Sequence, residues 1–188
     1  MYSIEAIHGY SDSVLREILT VSRNSLPESW QYPDEEDYYG QQLHNEKAIH
    51  LLLRRDNLPI GYLLAIPHNE AARDEDLRCA DPALVEDPDR IYVETLEIVT
   101  EYAKSLVSGK LSLMMFRALI EEADKRGRCK FSMHVRMTSG LNRVLRKLFG
   151  DILTNFRIID NWPFYNGEEP TEYTEGTYQA KFVVSKWL

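Results

Sequence analysis

Residues 90–127 read RIYVETLEIVTEYAKSLVSGKLSLMMFRALIEEADKRG, and the fold turns on how that stretch divides. Its opening, through residue 102, is rich in β-branched and aromatic residues and predicts a strand, with Glu94 and Glu97 set inside an otherwise apolar run. Residues 103–110 follow, with Ser105, Ser108 and Gly109 suited to a tight loop. From residue 111 to 123 the chain is apolar on most of a helical circumference, which predicts a buried helix, and Gly127 supplies its stop. A helix that leaves such a loop presents unpaired N–H groups and a positive dipole end, to which an anion such as a phosphate is suited.

Outward from this unit, residues 2–8 alternate loosely and predict a first strand. Ser11 or Asp12 caps a helix carrying Val14, Leu15, Ile18, Leu19 and Val21, and Leu26-Pro27 ends it. A second short helix starts near Asp34. Residues 48–54 and 60–66 predict strands of a hairpin, joined by the turn Asp56-Asn57-Leu58-Pro59. Residues 69–89 break the pattern. They are strongly acidic, hold Pro82 and Pro88 and show no apolar period, so they predict a mobile insertion loop, dispensable for folding. Beyond the central unit the prediction is a strand over 129–135, a helix over 139–149 ended by Gly150, and a strand over 152–160. A long loop over 161–176 and a last strand over 178–187 complete the chain. No repeat or linker interrupts 1–188, which reads as one domain.

The central segment resembles the signature of the GNAT superfamily of acyl-CoA-dependent N-acetyltransferases. That loop reads Gln/Arg-x-x-Gly-x-Gly/Ala after a strand ending Val-x-Pro. Val99 takes the Val position, Lys104 the Gln/Arg position and Gly109 the last Gly position. Glu101 departs from the usual Pro and Val107 from the first Gly. The order of elements along nearly the whole chain is similar to the superfamily's. The resemblance implies an α/β (α+β) fold with a mixed, mostly antiparallel sheet flanked by helices, and a V-shaped splay between strands 4 and 5. It implies acyl transfer, acetyl-CoA being the donor, to a small-molecule or peptide amine by direct attack. It also implies that the main chain over 97–99, with Ile98 and Val99, polarises the thioester. Lys104, Ser105, Leu106, Val107, Ser108, Gly109 and Lys110 would then bind coenzyme A.

Amine acylation needs a base for the acceptor ammonium and helps the leaving thiolate with a proton. Glu94 and Glu97 are the acids within the strand. They point to opposite faces of a regular strand unless a bulge intervenes. Apolar neighbours raise a carboxyl's pKa, which suits a base, and Glu94 leads here with Glu97 behind it. The superfamily's usual acid is a Tyr on the helix after the fifth strand. Anchored on Gly150, that position is Arg146, which stays protonated; Arg146 is left to a thiolate or a CoA phosphate. His134 is the alternative proton donor. Trp30, Tyr32, Tyr38, Tyr39, Trp162, Phe164 and Tyr165 mix with Asp34, Glu35, Glu36 and Asp37, a composition for a cage around a cationic amine or for a homodimer surface.

Other classes are weighed on the same residues. Ser108-Gly109-Lys110 does not extend to a phosphate-binding G-x-x-x-x-G-K-[ST] loop, because Lys104 and Leu111 stand at its ends. Net charge is −8, although residues 103–150 hold eleven Lys/Arg against three Asp/Glu. That balance disfavours nucleic acid and suits a small polyanion. No run reaches the ~18 apolar residues of a membrane helix. Cys79 and Cys129 form no disulfide framework and no zinc spacing, so no metal and a cytoplasmic location are expected, with Cys129 packed in a core. Two rival functions remain: a catalytically inactive GNAT-like binding module, and an RNA-associated protein using the basic face of residues 103–150.

Overall fold

The computed structural model describes residues 1–25, 34–105, 107–137, 141–160, 162–163 and 170–178. Tyr2–Ile7 forms β1 and Asp12–Ser25 forms α1. Ser11 starts α1, its hydroxyl accepting from the Val14 N–H at 3.2 Å. Glu35–His44 is α2, and Ile49–Arg55 and Leu58–Pro67 are the hairpin strands β2 and β3. Asp56 and Asn57 turn the hairpin at positive φ, the left-handed region that Asp and Asn tolerate best after glycine.

His68–Arg73 and Glu75–Ala80 are short helices α3 and α4; Arg90–Ile98 is β4 and Thr100–Ala103 a single turn, α5. Ser108–Lys125 is α6 and Lys130–Arg136 is β5. Leu141–Phe149, Leu153–Ile159 and Thr171–Thr177 are α7, β6 and β7. Among the described residues, seven strands form one mixed sheet in the order β1-β2-β3-β4-β5-β7-β6. It is mostly antiparallel, and β4 and β5 are its parallel pair, in register from Arg90–Lys130 to Val93–Met133. The predicted fold class is the one found.

Four local expectations are corrected. Residues 69–89 are no loop: α3 and α4 occupy much of the segment, and it buries Ala71, Ala72, Asp81 and Leu84. Six-residue helices are too short to print a period of 3.6. The predicted loop over 161–176 contains most of β7, whose Thr171, Glu172, Tyr173 and Thr174 are all buried. The predicted last strand reaches the described residues only at Tyr178. β4 ends at Ile98, and Thr100 opens the helical turn α5 while Ser108 already begins α6; Ser108, Gly109 and Lys110 therefore lie in a helix's first turn. Cys129 is exposed, because it falls in the turn before β5.

The chain divides into two compact units, Met1–Ala65 with Thr95–Glu122, and Ile66–Glu94 with Ala123–Leu188. In the first, Leu15, Ile18, Leu19 and Val21 of α1 are buried, as are Leu51, Leu52 and Leu53 of β2 and Leu111, Met115 and Leu119 of α6. Near the end of β4, the Val99 N–H donates to the Ile60 carbonyl at 2.9 Å. A Cβ on Gly61 would stand 3.0 Å from the Glu97 carbonyl oxygen, so glycine allows β3 this approach. In the second unit, Ala72, Leu84 and Tyr173 pack with Leu77 and Ile159. There α6 ends in a Schellman motif: the Gly127 N–H, at φ +70°, donates to Asp124 and the Arg128 N–H to Ala123, both at 2.9 Å.

Candidate active site

Glu97, near the end of β4, is a carboxyl buried in the first unit. It is 8% exposed. Ser25, on the last turn of α1, donates its hydroxyl to Oε2 at 2.9 Å, and Tyr39 of α2 donates to Oε1 at a long 3.4 Å. Burial pushes the Glu97 carboxyl from an ordinary 4.5 up to about 7; the bonds from Ser25 and Tyr39 pull against that rise, and the charge of Glu35 adds to it. A carboxyl that titrates near neutrality can take a proton from an ammonium and return it to solvent. Tyr39 is itself fixed by an edge contact with Tyr62, ring centroids 5.5 Å apart. The Tyr62 hydroxyl meets His50 Nδ1 at 2.7 Å, and His50 Nε2 lies 2.8 Å from the Gln42 carbonyl. Since that carbonyl only accepts, Nε2 carries the proton and Tyr62 donates to Nδ1.

The predicted anion loop lies in the same unit and is tied to the same helix. The Thr100 hydroxyl donates to the Ser25 carbonyl at 3.4 Å, and Arg55 of β2 donates to the Tyr102 hydroxyl at 3.1 Å. Ser25 thus joins the carboxyl of Glu97 to the start of the loop. Lys104 and Lys110 are exposed, and Ser105 closes the turn by bonding the Tyr102 carbonyl at 2.6 Å. Nothing lies within 4 Å of where a Cβ of Gly109 would stand, so the first turn of α6 has open space beside its backbone. Leu106 lies outside the described residues. The N–H of Val99 is spent on Ile60, so by strand alternation the N–H of Ile98 points away from β3. Of the expected main-chain donors, Val99 is thus taken up by β3, and Ile98 is turned the other way.

The remaining predicted residues lie in the second unit. Glu94 is half-buried there. His134 has a side chain 3% exposed; its Nε2 donates to Asp81 at 2.9 Å and its Nδ1 accepts from Tyr92 at 2.8 Å. Its ring stacks on Trp162, 4.3 Å between centroids. Burial lowers the pKa of His134 against the pull of Asp81. Both nitrogens are committed, so proton donation to a thiolate would break this chain. Arg157 also pairs with Asp81; burial works against that carboxylate's charge, but His134 and Arg157 together hold it below its ordinary value. Arg146 pairs with the buried Glu172 and lies over Phe156, 4.5 Å from its ring centre, which ties its guanidinium to the protein.

Of the aromatic and acidic residues expected around an amine, Tyr39 and Glu35 are buried in the first unit and Trp162 is stacked on His134. Trp30, Tyr32, Phe164 and Tyr165 lie outside the described residues. Sequence reasoning passed over Ser22 and Ser25. Their spacing of three on α1, like the spacing of four between Glu35 and Tyr39 on α2, puts each pair on one helix face. Among the described residues no group of three His, Cys, Asp or Glu is placed to hold a metal ion, and no helix is long and apolar enough to cross a membrane.

No protein-family profile matches the sequence, and no curated protein matches it either. Solved structures do, and what they share with this chain is the fold of the GNAT N-acetyltransferases. Three of them are a probable acetyltransferase from Staphylococcus epidermidis, the ribosomal-protein-S18-alanine N-acetyltransferase from Escherichia coli and the PaiA N-acetyltransferase from Thermoplasma acidophilum. The first aligns over 95% of this chain and 100% of its own, at a TM-score of 0.68 and 9% identity. The second aligns over 94% of each chain, at 0.65 and 14% identity. The third, solved in complex with coenzyme A, aligns over 94% of this chain and 99% of its own, at 0.55 and 14% identity. Likeness at such identities establishes the fold; the activity must be argued from the residues.

Proposed function

We propose that the chain is a single acyl-CoA-dependent N-acyltransferase domain, moving an acyl group, acetyl first among candidates, to a small-molecule or peptide amine. The observation that carries this reading is Glu97, a buried carboxyl pushed up to about 7 near the end of the strand that opens the strand–loop–helix segment. Glu97 accepts the proton of the acceptor ammonium, directly or through one water. The Ile98 N–H polarises the thioester carbonyl. Lys104, Ser105 and the first turn of α6 at Ser108, Gly109 and Lys110 hold the phosphates of coenzyme A. The open space at Gly109 fits that role. Arg146 has no part in it, because Glu172 holds its guanidinium. Two exposed, unpaired cysteines suit a reducing compartment, which makes the cytoplasm the expected location.

The test is acetyl-CoA turnover across a panel of amines, read as thiol release, beside calorimetry of acetyl-CoA binding. Glu97→Gln should keep the affinity and lose about 10²–10⁴ in rate. Gly109→Asp, which sets a carboxylate where phosphate is expected, should lose the affinity. A parent chain that does not bind acetyl-CoA would overturn the reading. Binding without turnover on any amine would favour the second one, an inactive GNAT-like binding module. Val107 in place of glycine, and Arg146 in place of the acidic Tyr, speak for that alternative.

A further inference from the structure

Ser25 ends α1, and both of its polar groups reach the segment that carries Glu97. Its hydroxyl lies 2.9 Å from Glu97 Oε2 and 3.1 Å from the Ser22 carbonyl oxygen, one turn back in its own helix. Its carbonyl accepts from the Thr100 hydroxyl at 3.4 Å. These bonds close a ring through residues 97–100, which ties the last turn of α1 to the corner where β4 gives way to α5. A hydroxyl has one hydrogen to give. Between a carboxylate and a helix carbonyl, that hydrogen goes to the carboxylate, the stronger acceptor and here the nearer one. The hydroxyl therefore serves the ionised Glu97. The other carboxyl oxygen, Oε1, has the Tyr39 hydroxyl only at 3.4 Å, a weak bond. The two oxygens are thus unequal: Oε2 is well bonded, and Oε1 keeps the greater basicity.

We propose that Ser25 is the positioning residue of the Glu97 base: its hydroxyl pins Oε2 and leaves Oε1 to receive the proton of the acceptor ammonium. The N–H bond breaks, the electron pair stays on nitrogen and an O–H bond forms at Oε1. Oε2 is then the carbonyl-like oxygen of the acid and still accepts from Ser25, so Glu97 loads and unloads its proton without turning. The proposal rests on the acyltransferase reading for its purpose, while the hydrogen bond itself does not. The other groups around Glu97 are untouched when Ser25 is changed. From α2 these are Tyr39 and Glu35, whose charge is held by Arg23 and by the Ser22 hydroxyl of α1. Tyr62 of β3 and His50 of β2 stand behind Tyr39 and bring no charge in the tautomer assigned above.

Ser25→Ala removes the hydroxyl and keeps the carbonyl that Thr100 uses. The ionised carboxylate loses its best donor, so Glu97 should titrate higher by about one pH unit. Ser25→Thr keeps a hydroxyl on the same carbon and should leave the midpoint near that of the parent. The measurement is a carbon-detected NMR titration of the full chain labelled at glutamate carboxyl carbons, with the Glu97 signal assigned by its loss in Glu97→Gln. A raised midpoint in Ser25→Ala that Ser25→Thr restores supports the proposal. An unmoved or lowered midpoint in Ser25→Ala overturns it. So does a rise of equal size in Ser25→Thr, which would trace the effect to the helix end instead of the hydroxyl. Should Ser25→Ala fail to fold, Ser25→Cys, whose thiol is a weak donor, takes its place with the same outcomes. The titration needs no acceptor, so an inert chain with these shifts would sink the transferase reading and leave the hold on Oε2 intact. Where turnover is found, the acidic limb of the kcat/KM profile should move up with the midpoint in Ser25→Ala. The rate on that limb should fall about tenfold, while the KM for acetyl-CoA stays put. A loss equal at every pH would overturn the positioning role.

Discussion

Glu97 shows what a single buried residue does to the molecule as well as to its chemistry. Its carboxyl titrates near 7 in the folded chain and near 4.5 when exposed. Between those values the folded state therefore holds more proton than the unfolded one, and stability falls as pH rises through that window. The stabilising protonated form is fully present below about pH 4.5 and is lost above about 7. A shift of this size corresponds to about 3 kcal/mol across the window. Urea unfolding at steps from pH 5 to 8 should show that slope in the parent and its disappearance in Glu97→Gln, which should overtake the parent in stability on the alkaline side. A parent slope unchanged by the substitution would mean that Glu97 is solvated and is no candidate base. The residue was legible in the sequence, but its rank was not. Glu94 and Glu97 share the same apolar run, and only the surroundings from α1 and α2, some sixty to seventy positions earlier, separate them.

At the scale of elements, what the sequence disclosed was whatever carries its own period. The helix α1, the β2–β3 hairpin with its Asp-Asn turn, and α6 with its glycine stop all announce themselves within about fifteen residues. β7 does not. TEYTEGT is polar by composition, yet Glu172 is buried because Arg146 pairs with it. Gly176 reads as a loop residue, yet a Cβ there would meet Phe131 Cε1 at 2.6 Å and the Ile152 carbonyl oxygen at 2.8 Å, so glycine is what lets the strand pack. The segment over α3 and α4 hides in the same way. Its acidic residues looked solvated, but Asp81 is the shared partner of His134 and Arg157. Asp81→Asn removes a buried carboxylate and leaves the half-buried Arg157 without its counterion. It should cost about 3 kcal/mol at neutral pH, or roughly 6–12 °C in Tm. The sign with pH is opposite to that of Glu97. The Asp81 carboxyl is depressed, so its contribution is present at neutral pH and lost as the solution is acidified. Thermal unfolding of parent and variant should thus converge toward low pH; equal Tm values at pH 7 would show that α4 holds its place without this pair.

At the scale of the whole molecule, charge decides between the remaining classes of partner. Eleven Lys/Arg against three Asp/Glu over residues 103–150 would suit an RNA surface if the chain ended there, but the molecule carries −8 overall. Several of those cations are also already engaged in the fold: Lys130 with Asp87 at 3.0 Å, Arg117 with Glu121 at 3.2 Å and Arg146 with Glu172. A polyanion that tracks many phosphates has to collect cations that are free to release its counterions, and affinity built that way falls steeply with salt. A coenzyme asks for less, since one loop, two exposed lysines and a helix start suffice for its few phosphates. Fluorescence anisotropy of a labelled single-stranded RNA should therefore show no saturable binding at about 50 mM salt, where electrostatic association is strongest. Acetyl-CoA should bind under the same conditions and compete with nothing on the RNA. Salt-sensitive RNA binding that is lost on reversing Lys104 and Lys110 to Glu would hand the basic segment to nucleic acid, and leave the buried Glu97 without a reaction to serve.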